Sequence, residues 1–477
     1  MNNLIQQIPR EIQDVLQKIA AVAADMKIDA YIVGGFVRDL LLQRNCKDID
    51  VVCVGSGIDL ALAAAAKISP QLKVQYFKNF GTAHFNYKGV DYEFVGARKE
   101  SYNRDSRKPV VENGTLEEDQ LRRDFTINAL AISLNKANWG HLVDPFNGLD
   151  DLKNELLRTP QNPDITFSDD PLRMMRAARF ATQLHFSIHA DALQAMQKNA
   201  ERINIVSKER IIDELNKIIL APQPSIGFRI LYNTGILFYV FPELCALQGV
   251  HTQEGLAHKD NFFHTLQVLD NLSETSDNLW LRWSAIMHDL GKERTKKFEQ
   301  GQGWTFHGHE IVGAKMVPKI FAKLKLPLDT KMKYVQKLVY LHMRPIALTN
   351  ENVTDSAIRR LLFDAGDDID DLMLLCRADI SSKNKAKVQR FLQNYNMVQE
   401  KLVEVEAKDR LRNWQPPVSG EEIMTYFNLS PSREVGIIKN AIREAILDGE
   451  IENSYEAAYN FMLKKAATMG IYPKNNV

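Results

Sequence analysis

Two aspartates one residue apart, Asp48 and Asp50 in KDIDVVCVG, are the first side chains whose spacing suggests chemistry. On an extended strand they point to one face, about 7 Å apart along the backbone. Hard oxygen ligands so placed suit one or two magnesium ions that also hold substrate phosphates. Upstream, Gly34 and Gly35 stand between a strand signal and a helix start. There the backbone can approach a triphosphate, the helix N-terminus favours anions, and Arg38 sits one turn on. Glu93, in YEF on a later strand signal, is the chosen third acid, but Asp91 faces the same way and spacing does not separate them. In LRRDFTINA, two arginines and an acid border an apolar helical run. As core residues they would be costly, so a phosphate- or ribose-facing role is expected.

A second pair, Asp170 and Arg173 in DDPLRMMRAARFA, is spaced as neighbours on one helix. A carboxylate only accepts hydrogen bonds and a guanidinium only donates them. Facing base edges, such a pair fits cytosine and adenine, each with an amino donor beside a ring-nitrogen acceptor. Uracil and guanine would meet like groups, at a cost of several kcal/mol, on the order of that for unpaired buried polar groups. Arg176 and Arg179 continue the helix towards phosphates. The bland alternative is an amphipathic helix that packs Leu172, Met175 and Ala178 inward and leaves its arginines solvated.

Seven of the eleven histidines fall between 251 and 342: His251, His258, His264, His288, His307, His309 and His342. The adjacent pair in HDLGK lets one helix supply two ligands, and imidazole mixed with carboxylate suits a transition metal. With an upstream His and a downstream Asp, this constellation resembles the HD phosphohydrolase superfamily. His264, His288, Asp289 and Asp379 would make a mononuclear site. His309 and His342 would add a second metal, with His307 competing for the place of His309.

The elements that must position these groups are legible in outline. Tyr31–Val33 and Ile49–Val54 read as strands, 88–95 alternates like one, and Val37–Leu42 reads as a helix. From Pro171 onward apolar residues recur at helical spacing and strand signals fade. A chain of 477 residues implies roughly three or four domains. The 60 basic and 60 acidic residues cancel, so overall charge does not hold a polyanion and local patches must. One such patch runs from Lys292 to Arg344, with twelve Lys or Arg against four acids, a phosphate-tracking surface or a solvated lysine face. Four scattered cysteines, without CxxC spacing, indicate neither a zinc ribbon nor a disulfide framework and fit a reducing cytoplasm. No apolar run approaches the eighteen or so residues of a membrane span, and the N-terminus reads as an amphipathic helix rather than a signal peptide. The tail 474–477 reads as frayed.

GGFVRD with DID, then RRDFTINA, then DDPLRMMRAARFA together resemble the class II tRNA nucleotidyltransferase and bacterial poly(A) polymerase group of the DNA polymerase beta superfamily. The resemblance extends to about residue 460. It implies an α+β chain: a small polymerase-beta-like head of mixed sheet and helices (1–150), then an elongated all-helical body. The body comprises a neck (151–245) with the base-reading helix, an HD domain (246–385) and a tRNA-binding tail (386–477). It implies magnesium at Asp48 and Asp50. Gly34, Gly35, Arg38 and Asp39 are matched to the triphosphate, and Arg123, Asp124 and Asn128 to ribose and phosphate. Asp170 and Arg173 are matched to the Watson–Crick edge; relatives often carry Glu-Asp where this chain has Asp169-Asp170, so the role falls on Asp170. The expected activity is CCA addition to tRNA from CTP and ATP, with a secondary HD phosphohydrolase activity using a transition metal. The alternatives are a poly(A) polymerase, a partial CC- or A-adding enzyme, or an HD phosphohydrolase with an RNA-binding head. Intact Asp48 and Asp50 argue against the last. No motif speaks to oligomeric state.

Overall fold

The computed structural model describes residues 3–101, 110–250, 252–253, 256–257, 260–348, 354–380, 385–409 and 414–473. His251, His258 and the tail 474–477 lie outside the described residues. The chain divides into two compact units, Met1–Pro242 and Glu243–Val477.

In the first unit α1 (Arg10–Asp25) returns an apolar residue every three or four positions, and Val15, Leu16, Ile19, Val22 and Ala23 are buried. There follow β1 (Ala30–Val33), α2 (Gly35–Leu41), β2 (Asp48–Cys53), α3 (Gly57–Ile68), β3 (Gln75–Phe77), β4 (Thr82–Tyr87) and β5 (Val90–Gly96). The ribbon β6 (Arg98–Ser101) and β7 (Val110–Asn113), α4 (Leu116–Leu121), β8 (Ala131–Ser133), β9 (Leu142–Val143) and α5 (Gly148–Lys153) complete this part. Seven strands form one sheet in the order β3-β4-β5-β2-β1-β8-β9. The pair β2 and β5 is parallel, the other pairings antiparallel.

Alternation along β2 divides its side chains between two environments. Ile49, Val51 and Cys53 join the core that includes Leu16 and Ile19 of α1 and Leu60 and Ala64 of α3. Asp48 and Asp50 take the opposite face, along with Val52, which packs with Val33 and Ala97. Ser56 caps α3 by accepting the Asp59 N–H. Gly57 lets the first turn press on β5, since a Cβ there would lie 2.7 Å from the Val95 backbone.

β10 (Leu156–Leu157) leads into α6 (Pro163–Asp169), α7 (Leu172–Leu184), β11 (Ser187–Ile188), α8 (Ala190–Asn199), α9 (Lys208–Ile219), α10 (Ser225–Asn233) and α11 (Ile236–Val240). Three contacts fasten α7 to the segment after α4. Phe180 meets Phe125 edge to face with centroids 5.9 Å apart. Arg173 Nη2 donates to the Arg122 carbonyl at 2.6 Å. Arg176 forks onto Asp124 Oδ2, Nε at 2.7 Å and Nη2 at 2.6 Å.

In the second unit, helices Asn261–Ser273, Leu279–Met287, His309–Leu324, Thr330–Leu341 and Ile369–Asp379 bury Leu266, Trp283, Phe321, Leu338 and Leu372 among others. Helix Lys385–Asp409 follows. The helices Gly420–Phe427, Arg433–Asp448 and Tyr455–Thr468 close on Ile423, Ile438, Ile442 and Met462. The expectation of an all-helical body needs correction in detail. β10 pairs with β11, and the ribbons Thr252–Gln253 with Leu256–Ala257 and Lys297–Glu299 with Gly303–Thr305 also form. Pairs of two or three residues are too short to show period-two alternation. No helix among the described residues is long and apolar enough to cross a membrane.

The Asp124 carboxylate is nearly saturated. Besides Arg176, it accepts the Phe125 N–H at 2.9 Å and Asn128 Nδ2 at 3.0 Å. Burial pushes its pKa up, but Arg176 and Asn128 outweigh burial and hold it at about 2 against the ordinary 3.8. That depression corresponds to ~2 kcal/mol of stability, present above the unfolded pKa and lost as pH falls through the folded one. Asp124→Asn should therefore lower stability at pH 7 by about 2 kcal/mol. In urea titrations its deficit should shrink between pH 4 and pH 2; a deficit independent of pH would show that packing, not charge, is lost.

Candidate active site and a histidine–aspartate cluster

A cavity of about 820 Å³ in the first unit is lined by Gly34, Gly35, Arg38, Asp48, Asp50, Glu93, Arg122, Arg123, Asp124, Asn128, Asp170, Arg173, Arg176, Arg179, Phe180, Arg210 and Lys217. In the β2–β5 register Asp50 stands opposite Glu93 and Asp48 opposite Asp91. Asp48, Asp50 and Glu93 line the cavity, whereas Asp91 does not and accepts from Asn86 Nδ2 at 2.9 Å. The choice that spacing left open thus has a geometric answer: Glu93 shares the cavity with the aspartate pair. Burial pushes the Asp50 pKa up to about 6; Arg123 opposes this, while Glu93 and Asp48 add to it. Three carboxylates repelling one another in one concavity, with oxygen the only ligand atom they offer, fit a hard divalent cation.

Gly34 holds φ +76°, a left-handed conformation that favours glycine. A Cβ there would lie 3.1 Å from Arg123 Nη1 and 3.4 Å from Asp50 Oδ2, so its absence leaves room where base and acid converge. Arg38 donates Nη1 to Asn128 Oδ1 at 2.7 Å and grips Asp39 with Nε and Nη2, each at 2.9 Å. Asp39 is absent from the cavity lining and stands behind as the clamp of Arg38.

The arginines are built in rather than solvated. Asp119, fully buried, holds Arg122 on Oδ1 at 2.6 Å and Arg123 on Oδ2 at 2.9 Å. Burial raises its pKa, but Arg123 and Arg122 prevail and lower it. Arg179 pairs with Glu214 of α9 at 2.6 Å. The Phe180 ring lies under three guanidiniums, Arg179 at 4.0 Å, Arg38 at 5.0 Å and Arg176 at 5.3 Å from its centroid. Asp170 differs from the expectation of a shared helix. It is the extended residue between α6 and α7, and its Oδ1 accepts the Leu172 N–H at 3.2 Å. Pro171 has no N–H to continue α6, so the chain breaks there and the carboxylate serves the next helix as a cap. Asp170 and Arg173 still line one cavity.

Sequence reasoning missed Asp119, Glu214 and Phe180. The i,i+4 spacing of Asp119 to Arg123 was a usable signal, but acids in a helix's first turn read as dipole partners. Glu214 lies far along the chain from Arg179, and a phenylalanine at helical spacing reads as core.

In the second unit, His264, His288 and Asp379 form one group and Asp289, His309 and His342 another, each with ligand atoms within 4.8 Å. His264 Nε2 lies 2.8 Å from Asp379 Oδ1, and His309 Nε2 lies 3.3 Å from His342 Nε2. The Nδ1 atoms of His288, His309 and His342 face the carbonyls of Ala285, Phe306 and Val339 at 2.7, 2.9 and 2.7 Å. Donating there leaves each Nε2 lone pair turned inward, the tautomer a metal requires. His288 Nε2 is buried without a hydrogen-bond partner. Burial disfavours charge on His288, yet Asp289 and Asp379 prevail and push its pKa up to about 10. Burial and His288 together hold His342 down to about 3. The two acids thus call for positive charge at the centre, which a metal ion would supply. All six expected residues meet in this cluster, and Asp289 joins its two groups, with Oδ2 3.3 Å from His288 Nε2 and 3.7 Å from His264 Nε2 and Oδ1 3.4 Å from His309 Nε2. His309 is buried in the cluster, whereas His307 is exposed.

Residues 30–158 match the poly A polymerase head domain, 185–247 the probable RNA- and SrmB-binding site of polymerase A, and 261–383 the HD domain. An A-adding tRNA nucleotidyltransferase of Deinococcus radiodurans is 33% identical over 443 residues, covering 90% of this chain and 94% of its own. A multifunctional CCA protein of Shewanella frigidimarina is 34% identical over 379 residues, covering 75% and 84%. The solved structure of the Bacillus stearothermophilus CCA-adding enzyme with CTP superposes at TM-score 0.65, with 24% identity over 97% of this chain and 99% of that one. With its head, its RNA-binding segment and its HD domain matched in order, and with relatives this similar along nearly its whole length, the chain belongs to the tRNA nucleotidyltransferase family built on the poly A polymerase head.

Proposed function

We propose that this chain completes the 3′ end of tRNA, adding C, C and A from CTP and ATP. The observation that carries the reading is one cavity holding both halves of the chemistry, the acids Asp48, Asp50 and Glu93 and the base-facing pair Asp170 and Arg173. In this reading Asp48 and Asp50 hold magnesium, with Glu93 as the third acid. The bound ions would neutralise charge on the attacking and leaving oxygens. The 3′-hydroxyl oxygen of the RNA bonds to the α-phosphorus, the bond to the bridging oxygen breaks, and pyrophosphate leaves. The open backbone at Gly34 and Gly35, with Arg38 beside it, faces the triphosphate. Arg123, Asp124 and Asn128 serve ribose and phosphate, and Arg176 and Arg179 supply further positive charge. Arg173, held by two backbone carbonyls, offers the remaining N–H groups of its fork to a base acceptor. The histidine–aspartate cluster would hold a transition metal and hydrolyse phosphoesters as a secondary activity. A cytoplasmic setting, where tRNA is found, fits this work.

A second reading, addition of A alone, is favoured by the A-adding relative that aligns with 90% of the chain. Incubation with tRNA lacking its 3′ end and each labelled nucleotide separately decides between them. Incorporation of CTP supports full CCA addition. Transfer from ATP alone, onto tRNA already ending in CC, supports the second reading.

Asp48→Ala or Asp50→Ala should reduce transfer at least about 100-fold while leaving tRNA binding and thermal melting near normal. Retention of more than a few per cent of activity in either variant would remove the metal assignment. Asp170→Ala should let UTP and GTP compete with CTP and ATP, because the acceptor that rejects them is gone. An equal loss for all four nucleotides in competition assays would mean that this residue matters only as a helix cap.

The double change His288→Ala with Asp289→Ala should abolish bound transition metal and phosphoesterase activity. Nucleotide addition should remain within about threefold of normal, since neither residue lines the cavity that holds Asp48, Asp50 and Glu93. Metal analysis beside both assays checks this, and a collapse of nucleotide addition would show the sites to be coupled.

A further inference from the structure

A cavity of about 520 Å³ in the second unit lies at the first turns of helices Leu279–Met287 and Thr330–Leu341, and none of the chemistry above uses it. Trp280, Tyr334, Lys331, Lys333, Lys337 and Asp368 line it. The half-buried Trp280 packs on fully buried Phe321, ring centroids 6.1 Å apart, which fixes the indole. Tyr334 is fixed too, since its hydroxyl donates to Asp371 at 2.6 Å. Lys337 is committed to the Ala365 carbonyl and to Asp368. Lys331 and Lys333 are exposed, and among the described residues neither has a carboxylate partner. The helix starts do not supply the attraction for an anion. Asn278 Oδ1 already accepts the Trp280 and Leu281 N–H groups, and Asp329 Oδ1 that of Lys331. That attraction falls to the two lysine side chains.

A fixed aromatic plane beside two exposed ammonium groups without carboxylate partners among the described residues, in a concavity large enough for a nucleotide, has the chemistry of single-strand nucleic-acid binding. We propose that this cavity receives an unpaired nucleotide of the bound RNA, its base on Trp280 and its phosphate between Lys331 and Lys333. In the free protein the Lys331 ammonium lies 5.4 Å from the indole centroid. The flexible lysine swings to the phosphate as the base takes its place, an exchange favoured because a base stack on an aromatic ring outweighs a cation over an exposed one. The inference rests on tRNA as the substrate and adds a contact in the second unit.

The test uses the full chain with three probes: tRNA lacking its 3′ end, an unstructured 12-nucleotide RNA, and AMP. Trp280→Leu should weaken binding of the 12-nucleotide RNA about tenfold, Trp280→Phe should restore most of it, and Lys331→Glu with Lys333→Glu should cost at least about tenfold. In nucleotide addition the KM for tRNA should rise while kcat at saturating tRNA stays unchanged. Wild-type RNA affinity in a Trp280→Leu protein that melts normally overturns the proposal, as does a loss of AMP affinity in that variant as large as its loss of RNA affinity, which would make this a free-nucleotide site. A wild-type protein that adds no nucleotide, yet loses RNA affinity on Trp280→Leu, would sink the reading of the head and leave this one standing.

Discussion

The first unit depends on the fork between Arg176 and the buried Asp124 carboxylate. The acids Asp48 and Asp50 come from a strand, while Asp170 and Arg173 come from a junction and helix more than a hundred residues later. Nothing in the sheet itself fixes where that helix lies. Asp124 does, by accepting from Arg176 on one oxygen and from Phe125 and Asn128 on the other. Asn128 in turn accepts from Arg38, so one chain of hydrogen bonds runs from α7 to the helix after Gly34. A carboxylate buried this completely must be surrounded by donors, and that demand sets the geometry more narrowly than apolar packing could.

The same economy explains how a chain with no net charge can present a cavity with an excess of basic side chains. The lining carries eight basic and five acidic side chains. Further acids stand behind it: Asp39 against Arg38, Asp119 against Arg122 and Arg123, Glu214 against Arg179. These acids restrain the guanidiniums before any ligand arrives, so less rotamer entropy is lost on binding. Arginine suits this arrangement because one face of its fork can hold a carboxylate while other N–H groups remain available.

Much of this was legible in the sequence because it is local. The alternation of Asp48 and Asp50, the turn at Gly34 and the helical start after it are written within about twenty residues. The histidines and aspartates of the second cluster were legible as residue types, and Asp379 lies 3.6 Å from His288 although they are far apart in the chain. What stayed hidden is pairing across the fold. Glu93 and Asp91 face alike along one strand and both stand opposite an aspartate of β2, and only the shape of the cavity, which Glu93 lines and Asp91 does not, separates them. Asp170 looked helical because i,i+3 spacing cannot register that proline ends one helix and a carboxylate begins the next. Asp119 and Glu214 looked like surface acids because burial is decided by what packs over them.

The two metal-fitting clusters differ in how a proton could stand in for an ion. In the first unit the candidate ligands offer only oxygen, and burial, with repulsion from Glu93 and Asp48 adding to it, pushes the Asp50 pKa up to about 6. In the second unit imidazoles supply their own cation, and His288, flanked by two acids, holds a proton to about pH 10. An ion entering the second cluster would therefore displace a tightly held proton, while one entering the first would meet only the modestly raised Asp50. Oxygen-only ligands suit a hard divalent cation, whereas the mixed cluster would favour an ion that binds nitrogen strongly enough to compete with that proton.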